Sequence, residues 1–176
     1  FFMDRTYRDL SVTANRRLFI TADGKPSDTI PSNPIIYLPM KGAATAGSNS
    51  GTGGDFSVTG LLATAERGPN QDNCSASKFD GSADYLNRSS LTNAADSKLF
   101  TFSAVISRYS TANSSMAILG GMPDKWLVSM TTDGVLYIVG DSGNVMVWNS
   151  VVKYAIGSTH HIAASFDLTS TSRRYV

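Results

Sequence analysis

KWLVSMTTDGVLYIVG, residues 125–140, decides how the rest of the chain is read. Two β-prone apolar runs flank Asp133-Gly134. That pair between such runs predicts a tight hairpin of type I′, because both central positions of that turn need positive φ. Within KWLVSM, Trp126 alternates with Val128 and Met130, so it shares their face and is expected to be buried more than ligand-facing. DSGN at 141–144 supplies the next turn, and VMVWNSVV and HHIAASFD continue the series.

Upstream the same grammar holds. FTFSAVIS, residues 100–107, places Phe100, Phe102, Ala104 and Ile106 on one face and Thr101 and Ser103 on the other. PIIYLPM at 34–40 is a short apolar run between prolines, which places it at a sheet edge or a strand end. GAATAGSNSGTGGD at 42–55 reads as a loop with no core of its own, and its GTGGD as a flexible stretch. It lacks the lysine and following helix of a phosphate loop. The helical pattern is confined to residues 9–24. There Ser11 or Thr13 is the expected cap, Arg16 and Arg17 face water, and Gly24 is the stop. No segment is long enough for the crossover helices of a parallel sheet. The expectation is an all-β chain folded as a two-sheet antiparallel jelly-roll sandwich, with a short N-terminal helical or linker segment.

Composition bounds the function. The 176 residues make one ordinary domain, with or without a short extension. They are 41% hydrophobic but only 16% charged, and small polar residues fill the difference. Such a surface suits β-structure outside a cell. Net charge is +1, with no basic run longer than Arg16-Arg17 or Arg173-Arg174, which excludes the basic stripe of a nucleic-acid binder. No apolar stretch approaches the ~20 residues that span a bilayer, and no membrane partner is expected. Cys74 is the one cysteine, so neither an internal disulfide nor a cysteine zinc cluster is available. No signal-peptide pattern is read in these residues. The chain opens on Phe1, which reads as a fragment or processed product.

The order of IIYLPM, a Gly-rich loop, SKFDGSADYL, FTFSAVIS and STHHIAASFDLTSTSRRYV resembles the concanavalin A-like lectin/glucanase superfamily in its laminin-G-like branch. The resemblance covers about residues 34–176. It implies a jelly-roll module of the kind found in phage virion proteins and secreted bacterial proteins. On that reading residues 1–26 are a linker or the tail of a preceding domain, and residues 27–176 are the sandwich. Val176 falls where the family's next strand would run on, so the sandwich is expected to be truncated at its C-terminal end or completed by another chain.

Glucanases of that superfamily carry acids at alternate positions on one strand, one acting as nucleophile and the other as general acid. This chain has no such strand, and its one glutamate is Glu66. There is no G-x-S-x-G, and adjacent His160 and His161 point to opposite faces of a strand, so one is expected inside and one outside. No enzyme activity is expected, and no cofactor beyond Ca2+ is considered. Asp80 and Asp84 in SKFDGSADYL read first as turn chemistry and second as calcium ligands, with Asp72 and Asn73 near the same rim. For glycans, which pair an aromatic platform with amide hydrogen bonds, the candidates are Trp148, Asn149 and Tyr109, with Trp126 and Tyr137 behind them. The functional expectation is a non-catalytic virion or extracellular module that binds surface glycans weakly or mediates assembly. Its expected partners are cell-surface glycans, other virion or extracellular chains, or copies of itself. The alternative is a carbohydrate-binding module, or a degenerate relative, of a secreted glycoside hydrolase.

Overall fold

The computed structural model describes residues 1–27, 33–65, 75–92, 99–109, 116–121, 126–140, 146–167, 169 and 174–175, and for 116, 121, 126–127, 139–140, 146–148 and 174–175 it describes the backbone alone. The chain is all-β. Its strands are β1 (Phe2–Asp4), β2 (Ile36–Tyr37), β3 (Ser57–Thr59), β4 (Ala63–Ala65), β5 (Ala76–Lys78), β6 (Tyr85–Asn87), β7 (Leu99–Ser107), β8 (Met116–Gly121), β9 (Trp126–Met130), β10 (Val135–Gly140), β11 (Met146–Lys153), β12 (Thr159–Asp167) and β13 (Arg174–Tyr175). Among the described residues one short α-helix, α1 (Thr13–Arg17), interrupts them. Two compact units result: Phe1–Ile106 with His161–Val176, and Ser107–His160.

The first unit holds a five-stranded sheet in the order β13-β12-β7-β1-β2. β1 is antiparallel to both its neighbours, with Phe2 opposite Tyr37 on one side and Ser103 on the other. Phe2–Asp4 lies in the segment expected to be a linker, and it is hydrogen-bonded inside this sheet. One face of β7 and β12 is apolar, as the alternation predicts. Phe100, Phe102, Ala104, Ile162, Ala164 and Phe166 are all buried, and Phe100 stacks on Phe166 at 4.6 Å between ring centroids. The opposite face differs from expectation. Thr101 and Ser103 make the polar face of the pattern, yet they are 0% and 6% exposed, and Ser165 on β12 is 0% exposed as well.

The cause is the segment that follows β1. It folds back over that face, with Phe19 packing on Phe2 at 5.1 Å. Buried hydroxyls then need partners, because an unpaired one costs roughly 1–3 kcal/mol. They find them in a chain. The Arg8 N–H donates to Ser165 Oγ at 2.7 Å, Ser165 Oγ lies 2.7 Å from Thr101 Oγ1, and Thr101 Oγ1 donates to the Thr6 carbonyl at 2.6 Å. Since the one Thr101 hydroxyl proton goes to Thr6, Ser165 must donate to Thr101. Asp4 completes the clasp by accepting from Thr6 N–H and pairing with the Arg8 guanidinium, both at 2.8 Å. The helix at the end of this segment has Val12 at its N-cap, without a side-chain cap, in place of the expected Ser11 or Thr13. Its N-terminal turn is tied instead by Arg16, which donates to the carbonyls of Leu10 and Ser11.

β2 is the edge strand that its prolines predict. Its outer side is covered by the Gly-rich loop, and there the reading of GTGGD as flexible is corrected. Asn49 Oδ1 accepts from the N–H groups of Tyr37 and Gly51, while Nδ2 donates to the carbonyls of Ile35 and Gly54. A Cβ on Gly51 or Gly53 would stand 2.6 or 2.8 Å from the Ile35 oxygen, so the close approach requires glycine. Ile35, Ile36 and Leu38 are buried beneath, with Met3, Phe56, Leu86 and Leu91 packed around them.

The second unit is a four-stranded antiparallel meander, β11-β10-β9-β8. Register puts Leu136 opposite Met130 and Ile138 opposite Val128, and all four are buried. The β9–β10 connection differs from the expected type I′. Gly134 has φ +88°, but Asp133 is not among the positive-φ residues. Gly134 N–H donates to the Thr131 carbonyl at 3.0 Å and Thr131 N–H to Val135 at 2.9 Å. That is a turn closed by a left-handed glycine and a one-residue bulge, the three-residue hairpin solution. Beneath it lies Arg108, only 6% exposed, whose guanidinium donates to the Thr132 and Tyr154 carbonyls. The DSGN turn at 141–144 lies outside the described residues, as does Cys74.

Replacing Asn49 tests the covered edge. Asn49→Ala should lower unfolding free energy by about 1–3 kcal/mol. Asn49→Asp should lower it at least as much, because a carboxylate keeps the acceptor but faces the Ile35 and Gly54 carbonyls with no donor. Urea denaturation of the two variants checks both expectations.

Candidate functional site

The turn at 80–84 is built by its own carboxylates. Asp80 Oδ1 accepts N–H bonds from Ser82, Ala83 and Asp84 at 2.8, 2.9 and 3.0 Å. Three converging donors favour the ionised form, and the Asp80 pKa is lowered from its ordinary 3.8 by these backbone bonds, Ser82 first. Asp84 reaches the other way. Its Oδ2 accepts from Asp80 N–H at 3.0 Å, and its Oδ1 accepts from Leu61 N–H at 2.9 Å. Gly60 makes room for that bond. It has φ +88°, and a Cβ there would sit 2.0 Å from Asp84 Oδ1.

This lacing holds a small ribbon, β3 paired antiparallel with β6, in which Val58 faces Leu86 and Thr59 faces Tyr85. The ribbon presents apolar groups to solvent. Tyr85 is 52% exposed and Leu61 is 95% exposed, with Val58 and Phe79 exposed beside them in sequence. These four were not singled out from the sequence. The available signal was the glycine at 60, which ends β3 after three residues and leaves Leu61 no strand partner.

Among the described residues no group of three His, Cys, Asp or Glu converges as a metal site. Calcium takes roughly 6–8 oxygen ligands. Asp80 Oδ1 and both Asp84 oxygens accept backbone N–H bonds, and the other calcium candidates, Asp72 and Asn73, lie outside the described residues.

The glycan candidates all fall in the second unit. Tyr109, just after β7, is 54% exposed. Asn149 is exposed on β11, opposite Tyr137 in register, and the Trp148 backbone pairs with Ile138. The side chains of Trp148 and Trp126 lie outside the described residues. Beyond Asn149 the β10–β11 ladder slips, and Ser150 Oγ takes the Leu136 N–H that the slip leaves over, at 3.0 Å.

The two histidines have separate partners. His161 Nε2 lies 2.8 Å from Ser103 Oγ, and burial lowers its pKa below 6.5. His160 Nε2 lies 2.6 Å from Ser158 Oγ, and its ring meets Tyr154 edge-on at 4.5 Å. Both are half-buried, not one inside and one outside. Ser158 donates its hydroxyl proton to the Ala155 carbonyl at 2.5 Å, which makes His160 the donor to Ser158 and not its base.

Compared with protein-family models, with curated proteins and with solved structures, the chain matches none.

Protonating Asp80 should loosen the turn. A carboxylate with a depressed pKa contributes stability that is present above its ordinary 3.8 and lost as pH falls through the lower folded value. Asp80→Asn, which keeps an acceptor oxygen, should retain more of the turn at pH 7 than Asp80→Ala and lose the acid dependence. Amide exchange at Ser82, Ala83 and Asp84 reads the effect at each position.

Proposed function

We propose that the chain is a non-catalytic attachment or assembly module of a virion or extracellular protein. In this reading it folds as a concanavalin A-like, laminin-G-like jelly roll and binds surface glycans weakly. One observation carries it: Tyr85 on one face of the β3–β6 ribbon, with Leu61 and Phe79 at its ends in sequence, is open to solvent around a turn fixed by two carboxylates. An aromatic face held still loses little entropy on contact, and sugar rings present C–H faces to it. Weak contacts of this kind become useful when many copies act together. Small polar residues around the ribbon, among them Thr59 and Asn87, add hydrogen-bonding groups of the sort hydroxyls need. The competing reading, a binding module or degenerate relative of a secreted glycoside hydrolase, shares this surface and differs in the chain it belongs to.

A second reading has its own observation. β11 is an edge strand, and at its end Val151 is 100% exposed and Val152 59% exposed. Edges of this kind pair with other chains, which favours protein–protein assembly, including homo-oligomers.

Beads displaying many copies of the chain, applied to a glycan array, test the first reading. Retention should fall about tenfold or more in the Phe79→Ala, Tyr85→Ala double variant, with the thermal midpoint unchanged. EDTA should leave retention intact if the carboxylates serve the turn, and abolish it if Asp80 and Asp84 hold Ca2+. No retention on any glycan, or retention indifferent to the double variant, contradicts the glycan reading. An oligomer that Val151→Lys disperses would then support the second.

A further inference from the structure

A hollow of about 220 Å³ lies in the first unit, lined by Leu10, Arg16, Ile20, His161 and Ala163. Its composition is specific. Three walls are apolar, and two residues bring nitrogen. His161 already has Ser103 at 2.8 Å, and burial keeps its pKa below 6.5, so it is uncharged at neutral pH. Among the described residues of the lining, Arg16 is the permanent cation.

The Arg16 side chain is exposed but oriented by local hydrogen bonds. Its guanidinium donates to the Leu10 and Ser11 carbonyls and, at 3.0 Å, to Thr13 Oγ1. All three acceptors are neutral. None of the ion pairs among the described residues uses Arg16. The nearest acidic residue in sequence, Asp9, owes its lowered pKa to hydrogen bonds from Ser11 and not to an arginine. A guanidinium has five N–H donors, and these three bonds leave donors over. An oriented arginine without a carboxylate partner, beside apolar walls, matches a carboxylate attached to an apolar body.

We infer that this hollow binds a small organic monocarboxylate, its carboxylate on Arg16 and its apolar body against Leu10, Ile20 and Ala163. The volume holds roughly seven waters at liquid density, which suits one six-membered ring with a short chain and nothing much larger. This site does not depend on the glycan reading, since it lies on different residues from the β3–β6 ribbon.

Phenylacetate is the probe, with phenylacetamide as its uncharged counterpart and glucuronate as an acid with a polar body. Titration of the full chain, followed through backbone amide NMR shifts, should give saturable changes at Leu10, Arg16, Ile20 and His161, with a Kd of about 1 mM. Affinity should drop about tenfold for phenylacetamide, for glucuronate and for Arg16→Gln. Ala163→Leu, which fills the hollow without touching the Arg16 hydrogen bonds, should abolish binding while the remaining spectrum stays dispersed. Ala163→Leu decides the matter if Arg16→Gln disturbs α1. Absence of saturable shifts up to about 10 mM, equal binding of acid and amide, equal or tighter binding of glucuronate, or unchanged binding to Ala163→Leu each overturns the inference.

Discussion

The run of hydrogen bonds from the Arg8 amide through Ser165 and Thr101 to the Thr6 carbonyl is the constraint on which the five-stranded sheet depends. It crosses three separate parts of the sequence, and its central Ser165–Thr101 step is buried. Each hydroxyl in it both gives and receives, and bonds aligned in this way polarise one another. Without the run, the segment after β1 would have to cover Thr101 and Ser165 at the cost of two unpaired hydroxyls. With it, β7 and β12 are buried on both faces, and β1 is held in register between β7 and β2. The Asp4–Arg8 pair at 2.8 Å closes the same clasp from the other end.

The same device recurs where a ladder is short or slips. Asn49 supplies donor and acceptor to the outer edge of β2. Ser150 takes the amide that the β10–β11 slip leaves over. Asp84 joins the β3–β6 ribbon to Leu61, and Asp80 ties three amides in one turn. Strands of two or three residues form too few ladder bonds to hold themselves, so side chains do the ladder's work. This gives a physical reason for a chain only 16% charged and rich in Ser, Thr, Asn and Gly. Ser, Thr and Asn side chains are short enough to bond to nearby backbone, which lysine and glutamate are not, and Gly lets the backbone come close. The hollow at Arg16 and the exposed ribbon at Tyr85 are both by-products of such local lacing. Each is a surface fixed by hydrogen bonds behind it.

Periodicity made the long strands legible. FTFSAVIS and KWLVSMTTDGVLYIVG state their apolar faces in alternate positions, and β7, β9 and β10 follow them. SKFDGSADYL was legible as a turn because Asp and Gly do only a few things at that spacing. What alternation could not state is what covers the other face. Thr101 stands on the polar face of the pattern, and only the structure lays over it a segment 95 residues away in sequence. The Gly-rich loop was misread for a related reason, since glycine marks close approach and freedom with the same letter. At Gly51 and Gly53 it is close approach. The hairpin type turned on the φ of one residue, Asp133, which an Asp-Gly pair does not fix alone. Of the candidate site residues, Asp80 and Asp84 lie together as the sequence implies, whereas the exposed ribbon beside them emerged only from burial.

The most direct measurement is a double-mutant cycle on Thr101→Val and Ser165→Ala, read by urea unfolding. If the hydroxyl run holds the sheet, each single change destabilises, and the pair costs less than the sum by roughly 1 kcal/mol, since removing either partner already breaks the run. Two independent, additive losses would contradict the account and reduce the clasp to a coincidence of neighbours.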